Sequence, residues 1–302
     1  MPEYRPGAPA GMTTPAGEPV ESGWPTGEFE GDGMDHRYEL DETIDMETPS
    51  IARMYDYVLG GGANFEIDRN AAEAIPDGMP GSRAWARANR GFIGRAVTVL
   101  CERGIDQFLD LGSGAPTVGN PHEIALRHYP EARIAYVERE PVAVEYANKM
   151  LADLPGVTMT WADFRDVGSV LEAPGVADLL DFSRPVGILA MAVLDLLEDV
   201  DPVELTAAYR DACCPGSALG ISHAVGLTLS LAEQERVLSV MRTTNTPGAG
   251  FGTIDDVAAL MAGYTLLEPG IVPVGAWRPI DPVDEDAAKR ANYVGAVGIK
   301  ES

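Results

Sequence analysis

Two hydrophobic periods alternate along this chain, and the alternation predicts its architecture. From Ser50 the apolar residues recur at helical spacing, at Ile51, Met54, Tyr55, Val58 and Leu59, with Ser50 in the N-cap position. Gly60, Gly61 and Gly62 end that helix. A longer amphipathic helix is predicted over residues 82–103, turning Trp85, Ala88, Phe92, Ala96, Val99 and Leu100 inward. The period then shortens. Phe108-Leu-Asp-Leu111 is an apolar run that stops at two glycines, while residues 133–138 and 157–164 are β-rich runs that carry an acid at or near their ends. Residues 185–194 are apolar enough for a strand buried on both faces, and residues 218–223 read as a fifth strand. Helical stretches separate these runs, starting near Pro121 and at Pro141, then spanning 168–180, 202–213 and 229–242, with a last helix behind a box-like Thr253/Asp256 cap. Two final β-rich segments, 264–274 and 293–300, are expected to form a closing antiparallel hairpin. Strand and helix in alternation predict a doubly wound α/β sheet of seven strands.

The candidate chemistry gathers where strands end. Asp110-Leu-Gly112-Ser113-Gly114 places a carboxylate beside a turn whose glycines let a ligand approach the main chain. Glu138 and Arg139 stand at the tip of the second strand, where an acid in such a sheet reaches ribose hydroxyls. Asp163 and Phe164 end the third, an acid and an aromatic suited to an adenine edge and face. Three strand-terminal acids in register point to a nucleoside cofactor. A dinucleotide fingerprint starting at Gly112 needs glycine at position 117, where this chain has Thr117 preceded by Pro116. That disfavours a nicotinamide oxidoreductase and favours a ligand with ribose and adenine but no phosphate, which is S-adenosylmethionine. Arg90 on the long helix is a candidate for the methionine carboxylate, against a surface ion pair as the plain alternative. Met191 and Asp195 end the fourth strand, where the sheet delivers residues to cofactor and substrate. His223 ends the fifth and is the side chain best suited to accept a proton near neutral pH, although a strand-end histidine can equally be structural.

Composition narrows the partners. A chain of 302 residues, 45% hydrophobic, suffices for one α/β catalytic domain with extensions. Its formal charge of −25 repels phosphate backbones, and no basic run offsets it, so nucleic acid is not an expected partner. Cys101 and the adjacent Cys213 and Cys214 lack metal-ligand spacing and read as buried thiols of a reducing cytoplasm; no metal site is expected. Residues 1–47 are rich in Pro, Gly, Asp and Glu, with Arg5 and Arg37 as their basic residues, and are expected to be disordered. A basic start with an apolar run is missing, as is any stretch of roughly 18 apolar residues, so the expectation is a cytoplasmic protein without membrane contact. The catalytic domain is then 48–302, with 48–103 as its helical cover.

Several motifs together resemble one family. Pro49-Ser-Ile-Ala-Arg-Met-Tyr-Asp-Tyr-Val-Leu-Gly-Gly-Gly-Ala-Asn-Phe-Glu-Ile-Asp-Arg69, Ala88-Asn-Arg-Gly-Phe92, the Asp-Leu-Gly-Ser-Gly-x-Pro-Thr turn, Ser222-His-Ala224, Glu268-Pro-Gly270 and Trp277-Arg-Pro279 are similar to the actinobacterial S-adenosylmethionine-dependent methyltransferases grouped as DUF574. The resemblance spans about residues 48 to 300. It implies a class I methyltransferase fold, S-adenosylmethionine as cofactor, and in-line methyl transfer to an O, N or C nucleophile of a small molecule in secondary metabolism, with a homodimer as a candidate assembly. It also makes Asn64 and Asp68 candidates for cofactor contact, although composition alone reads them as a helix cap. The cover formed by Tyr55, Tyr57, the three glycines, Asn64, Phe65 and Asp68 is expected to close over the acceptor side of the pocket. The family commonly has histidine where this chain has Asp195. A non-catalytic cofactor-binding or partner-binding protein on the same fold is the other reading left open.

Overall fold

The structure, a computed structural model, describes residues 44–76, 82–117 and 119–301. The segment expected to be disordered lies, up to residue 43, outside the described residues. Five parallel strands come first: β1 (Gln107–Leu111), β2 (Arg133–Glu138), β3 (Val157–Trp161), β4 (Gly187–Met191) and β5 (Ala218–Ala224). Three more strands follow, β6 (Tyr264–Leu266), β7 (Val272–Pro273) and β8 (Tyr293–Lys300); β8 runs antiparallel to β5 and to its other partners β6 and β7, and the order across the sheet is β3-β2-β1-β4-β5-β8-β6. Every residue of β1, β4 and β5 is buried, as parallel strands covered by helices on both faces require. The strand order reverses between β1 and β4, which opens a crevice at their carboxyl ends.

The predicted closing hairpin departs from expectation in one respect. Residues 264–274 give two short strands, not one. β6 pairs with β8 at Leu266↔Gly298 and β7 at Val272↔Gly295, so the sheet has eight strands in seven positions. Between them Pro269 has no N–H to donate, and Gly270 turns the chain at φ +83°.

Among the described residues, three helices precede the sheet: α1 (Ile51–Leu59), α2 (Glu66–Glu73) and α3 (Arg83–Glu102). α1 ends at Gly60, whose φ of +87° suits a helix C-terminus. Ser50 holds the N-cap position of α1 without a side-chain cap, and its backbone N–H donates to Asp68 Oδ1 at 2.8 Å. α3 packs closely on the sheet. Phe92 meets Trp277 edge to face at 5.4 Å and lies so near Gly295 of β8 that a Cβ there would sit 2.6 Å from its ring. Truncating a fully buried Phe of this kind costs about 3–5 kcal/mol.

The remaining helices are α4 (Pro121–His128), α5 (Pro141–Leu151), α6 (Val167–Glu172), α7 (Pro174–Ala177), α8 (Pro202–Ala212), α9 (Leu231–Met241), α10 (Ile254–Leu260) and α11 (Glu285–Lys289). The single helix expected over 168–180 is broken into α6 and α7, because Ala173 precedes Pro174 and is driven to an extended ψ of 134°. Thr253 and Asp256 form the expected reciprocal cap on α10. Cys101 and Cys213 are buried, Cys214 is half-buried, and all three are free. Among the described residues no helix is long and apolar enough to cross a membrane.

A buried ionic cluster fastens α1 to its neighbours. Arg53 donates to Asp68 Oδ2 at 2.8 Å and to Glu140 Oε1, just before α5, at 3.0 Å, and its second terminal nitrogen reaches the Thr48 carbonyl at 2.7 Å. All three charged side chains are almost wholly buried. The sign of such a cluster's contribution depends on completeness: intact it is near neutral, and with one member removed it leaves buried charge unpaired.

Candidate functional site

A cavity of about 390 Å³ lies at the carboxyl ends of β1, β2 and β4, under the start of α1. Its floor is the turn after β1. Gly112 and Gly114 take φ of +64° and +65°, conformations open chiefly to glycine, and the N–H groups of Gly112 and Ser113 donate to the Val137 carbonyl at 2.8 and 3.2 Å. A Cβ on Gly112 would lie 2.7 Å from Val193 Cγ1, whereas one on Gly114 would meet nothing within 4 Å. The first glycine is therefore demanded by protein packing, and the second leaves the main chain open to the cavity.

Glu138 ties this turn to the tip of β2. Its Oε2 accepts the Gly114 N–H at 2.8 Å, and its Oε1 accepts those of Arg139 and Glu140 at 2.7 and 2.8 Å. Burial raises the Glu138 carboxyl above its ordinary range, and these three N–H groups oppose the rise. The next acid, Asp163, is committed to a partner. Arg165 grips both of its oxygens through Nε, at 3.0 Å to each, and Nη2 reaches Oδ2 at 2.5 Å. Burial would raise this carboxyl, but the Arg165 hydrogen bonds and the nearby charge of Arg139 win and lower it. Phe164 and Met191 line the same cavity, as do Ser113 and Arg139, which also bonds Thr246 Oγ1 at 3.0 Å.

Asp110 and Arg90 supply the opposite charges at the inner end. Asp110 is buried at the end of β1, and burial pushes its carboxyl up to about 7, against the pull of Arg90 and with the push of Glu138. Arg90, from α3, lies with its guanidinium 5.3 Å from the Tyr55 ring centre, and its buried Nε has no partner among the described residues. A carboxyl raised by burial and an arginine with an unmet donor, both facing one cavity, suit a ligand that carries a cation and an anion close together. The amino-acid end of S-adenosylmethionine is such a ligand.

Other predicted residues lie elsewhere. Asn64 does not line the cavity; its amide donates to Asp56 Oδ2 at 2.8 Å and to the Gly61 carbonyl at 3.0 Å, and Arg69 donates to its Oδ1. Asp68 is wholly buried, and its oxygens accept from Ser50, Phe65 and Arg53. Both hold the cover together. Of the residues expected to close over the pocket, Tyr55 lines it, and so do Ser50, Ile51 and Ala52 at the start of α1, of which the pattern marked Ser50 as a helix cap and Ile51 as a core position. His223 is buried on β5 with Nδ1 2.9 Å from the Ala224 carbonyl, and it lines neither this cavity nor a second one beside it.

That second cavity, of about 50 Å³, contains Asp195 and shares Ile51, Tyr55, Trp85, Ala192 and Leu196 with the first. Ala192 follows β4 at φ +58°, a strained conformation for a residue with a side chain, and it lines both cavities. Sequence pattern offered no sign of this strain or of the clasp by Arg165. Trp85 was legible as a core position, and its place between the cavities follows from its packing against Tyr55 at 5.2 Å and Tyr293 at 4.9 Å.

A doubly wound sheet whose sixth position holds the antiparallel strand β8, a Gly-Ser-Gly turn and an acid at the tip of β2 define a class I S-adenosylmethionine-dependent methyltransferase. A family model described as S-adenosyl methyltransferase matches residues 37–301, and the chain belongs to that family. A protein of known crystal structure from Thermobifida fusca YX is 37% identical, with a TM-score of 0.79 and coverage of 85% of this chain and 97% of that one. A DUF574 family protein from Streptomyces avermitilis MA-4680 is 33% identical, with a TM-score of 0.75 and coverage of 85% and 99%. No curated protein matches the sequence. The enzyme class is a methyltransferase and its cofactor is S-adenosylmethionine.

Proposed function

We propose that the chain methylates a small-molecule acceptor of secondary metabolism, with the cofactor held at the β1, β2 and β3 tips and the acceptor entering beside α1. The observation that carries this reading is the inner end of the main cavity, where Asp110 and the unpartnered Arg90 Nε face a turn whose Gly114 backbone is open. In the assignment, Arg90 takes the cofactor carboxylate and Asp110 the amino group. Glu138 and Arg139 face the ribose, and Phe164 and Asp163 the adenine, with Met191 against the centre of the ligand. Bound there, S-adenosylmethionine supplies an electrophilic methyl group on a sulfonium. The chain's own contribution is alignment and exclusion of water, which its apolar walls provide.

A cavity of about 390 Å³ is of the size that takes small ligands. The net charge of −25 supports a small molecule over a nucleic acid. Labelled cofactor incubated with fractionated small metabolites, and separately with RNA and DNA, tests this. Label is expected in a small-molecule fraction. Label found in nucleic acid instead would contradict the proposal.

A further inference from the structure

The smaller cavity has one chemical peculiarity. Tyr55, Trp85, Phe251 and Tyr293 give it aromatic walls, and no Lys or Arg is among the described residues lining it. Its acid is Asp195, more than nine-tenths buried. Tyr293 donates its hydroxyl to Asp195 Oδ2, while Asp195 Oδ1 is buried with no partner among the described residues. Buried carboxylate oxygens are rarely left without a donor, so Oδ1 marks the place of a donor that arrives from outside the chain.

Resting on the methyltransferase reading, we propose that this chamber receives the nucleophilic nitrogen of a primary or secondary amine, which donates to Asp195 Oδ1, and that the enzyme is an N-methyltransferase. Three observations select an amine over a hydroxyl. Aromatic faces attract a cation, and an ammonium among Trp85, Phe251 and Tyr293 gains from them what a neutral alcohol does not. No Lys or Arg lines the chamber to balance this buried carboxylate, a task that a positive ligand can perform. The strongly acidic chain also draws cations toward itself. The five residues shared with the main cavity put this chamber beside the cofactor end and not behind it.

An ammonium is not a nucleophile, so one proton must leave first. It passes from nitrogen to Asp195 Oδ1. The freed lone pair then forms the new N–C bond while the methyl–sulfur bond breaks, its electron pair staying on sulfur. The products are the N-methylated ammonium and neutral S-adenosylhomocysteine, and Asp195 gives its proton to solvent as they leave. Burial raises the Asp195 carboxyl, with the His223 charge, the Tyr293 hydroxyl and the nearby backbone N–H groups of Asp195 and Ala224 opposing, which brings it closer to the task of accepting and releasing a proton.

The test is calorimetric titration of the protein saturated with S-adenosylhomocysteine, using benzylamine and its isostere benzyl alcohol. The amine is expected to bind at least about tenfold tighter, since the alcohol lacks the charge that both the aromatic walls and the carboxylate recognise. Asp195→Asn should erase that preference, and Tyr293→Phe, which leaves the carboxylate in place, should keep it. Equal binding of the two probes to wild type would overturn the proposal, and that result needs no variant to fold. A preference that survives Asp195→Asn would overturn it too. The preliminary titration with S-adenosylhomocysteine stands apart: its failure would remove the cofactor assignment beneath, whereas its success with indifferent probes removes only the amine.

Discussion

The two ends of the site are built in opposite ways. At the tips of β2 and β3 the side chains are already engaged with the protein: three backbone N–H groups hold Glu138, and Arg165 holds Asp163. At the proposed acceptor end two polar atoms are unmet, Asp195 Oδ1 and Trp85 Nε1, both buried and without partners among the described residues. The first end is a preformed cradle whose shape exists before the ligand. The second is a set of aromatic walls from α1 and α3 around groups that a ligand must satisfy. Preorganisation suits a cofactor common to a whole class, and unmet polarity suits discrimination among acceptors, because a molecule lacking the right donor leaves a buried group unpaired.

The largest effect is expected where the cover is fastened. Arg53→Ala leaves Asp68 and Glu140 as unpaired buried acids and should cost about 3–5 kcal/mol of stability by chemical denaturation. If the comparison is right, the acceptor end suffers first, since Ile51 and Tyr55 ride on the same helix. A loss below 1 kcal/mol would mean that the cluster is not what holds α1 in place.

Glu138→Ala comes next. It removes the acceptor for three N–H groups at the cradle, and leaving a buried donor unsatisfied costs about 1–3 kcal/mol. Weaker S-adenosylhomocysteine binding and a lower melting temperature should appear together. Weakened binding with unchanged melting would show that Glu138 acts on the ligand and not through the turn.

A smaller effect concerns pH. Burial raises Asp110 from 3.8 to about 7 and Asp56 to about 6, so the folded chain keeps protons that the unfolded chain has lost. Their contribution to stability is full below the ordinary carboxyl range and is lost as pH rises through about 7. The ligand-free protein should therefore melt at lower temperature as pH climbs through that window, and Asp110→Asn should flatten the fall. A slope unchanged by the substitution would show that Asp110 titrates normally.

What could be read from the sequence follows the same division. Each element of the cofactor end is local: the acid, the turn glycines and the strand that precedes them lie within a few residues, so pattern and spacing expose them. The acceptor end joins Tyr55 and Trp85 to Asp195, Phe251 and Tyr293, residues brought together only by packing. Asn64 and Asp68 show the opposite hazard. A glycine-rich break followed by polar residues suggests a loop over a ligand, yet these side chains spend their hydrogen bonds on Asp56, Gly61, Ser50, Phe65 and Arg53. The clasp of Asp163 by Arg165 was two residues away and still invisible, because spacing does not show whether an arginine turns back on its neighbour or out to solvent. The split of the last strand position was signalled by Pro269 and Gly270, whose effect on a ladder is local and general.

With the cofactor's amino-acid end proposed to sit between Asp110 and Arg90, the decisive experiment is calorimetric titration of S-adenosylhomocysteine into wild type and Arg90→Met. Wild type should bind in the micromolar range, about −8 kcal/mol. The variant should bind at least about tenfold more weakly, through loss of a charge-assisted contact, and thermal melting of the same samples measures separately what loss of the guanidinium's contact with the Tyr55 ring costs the fold. Equal affinity in the two proteins would contradict the account.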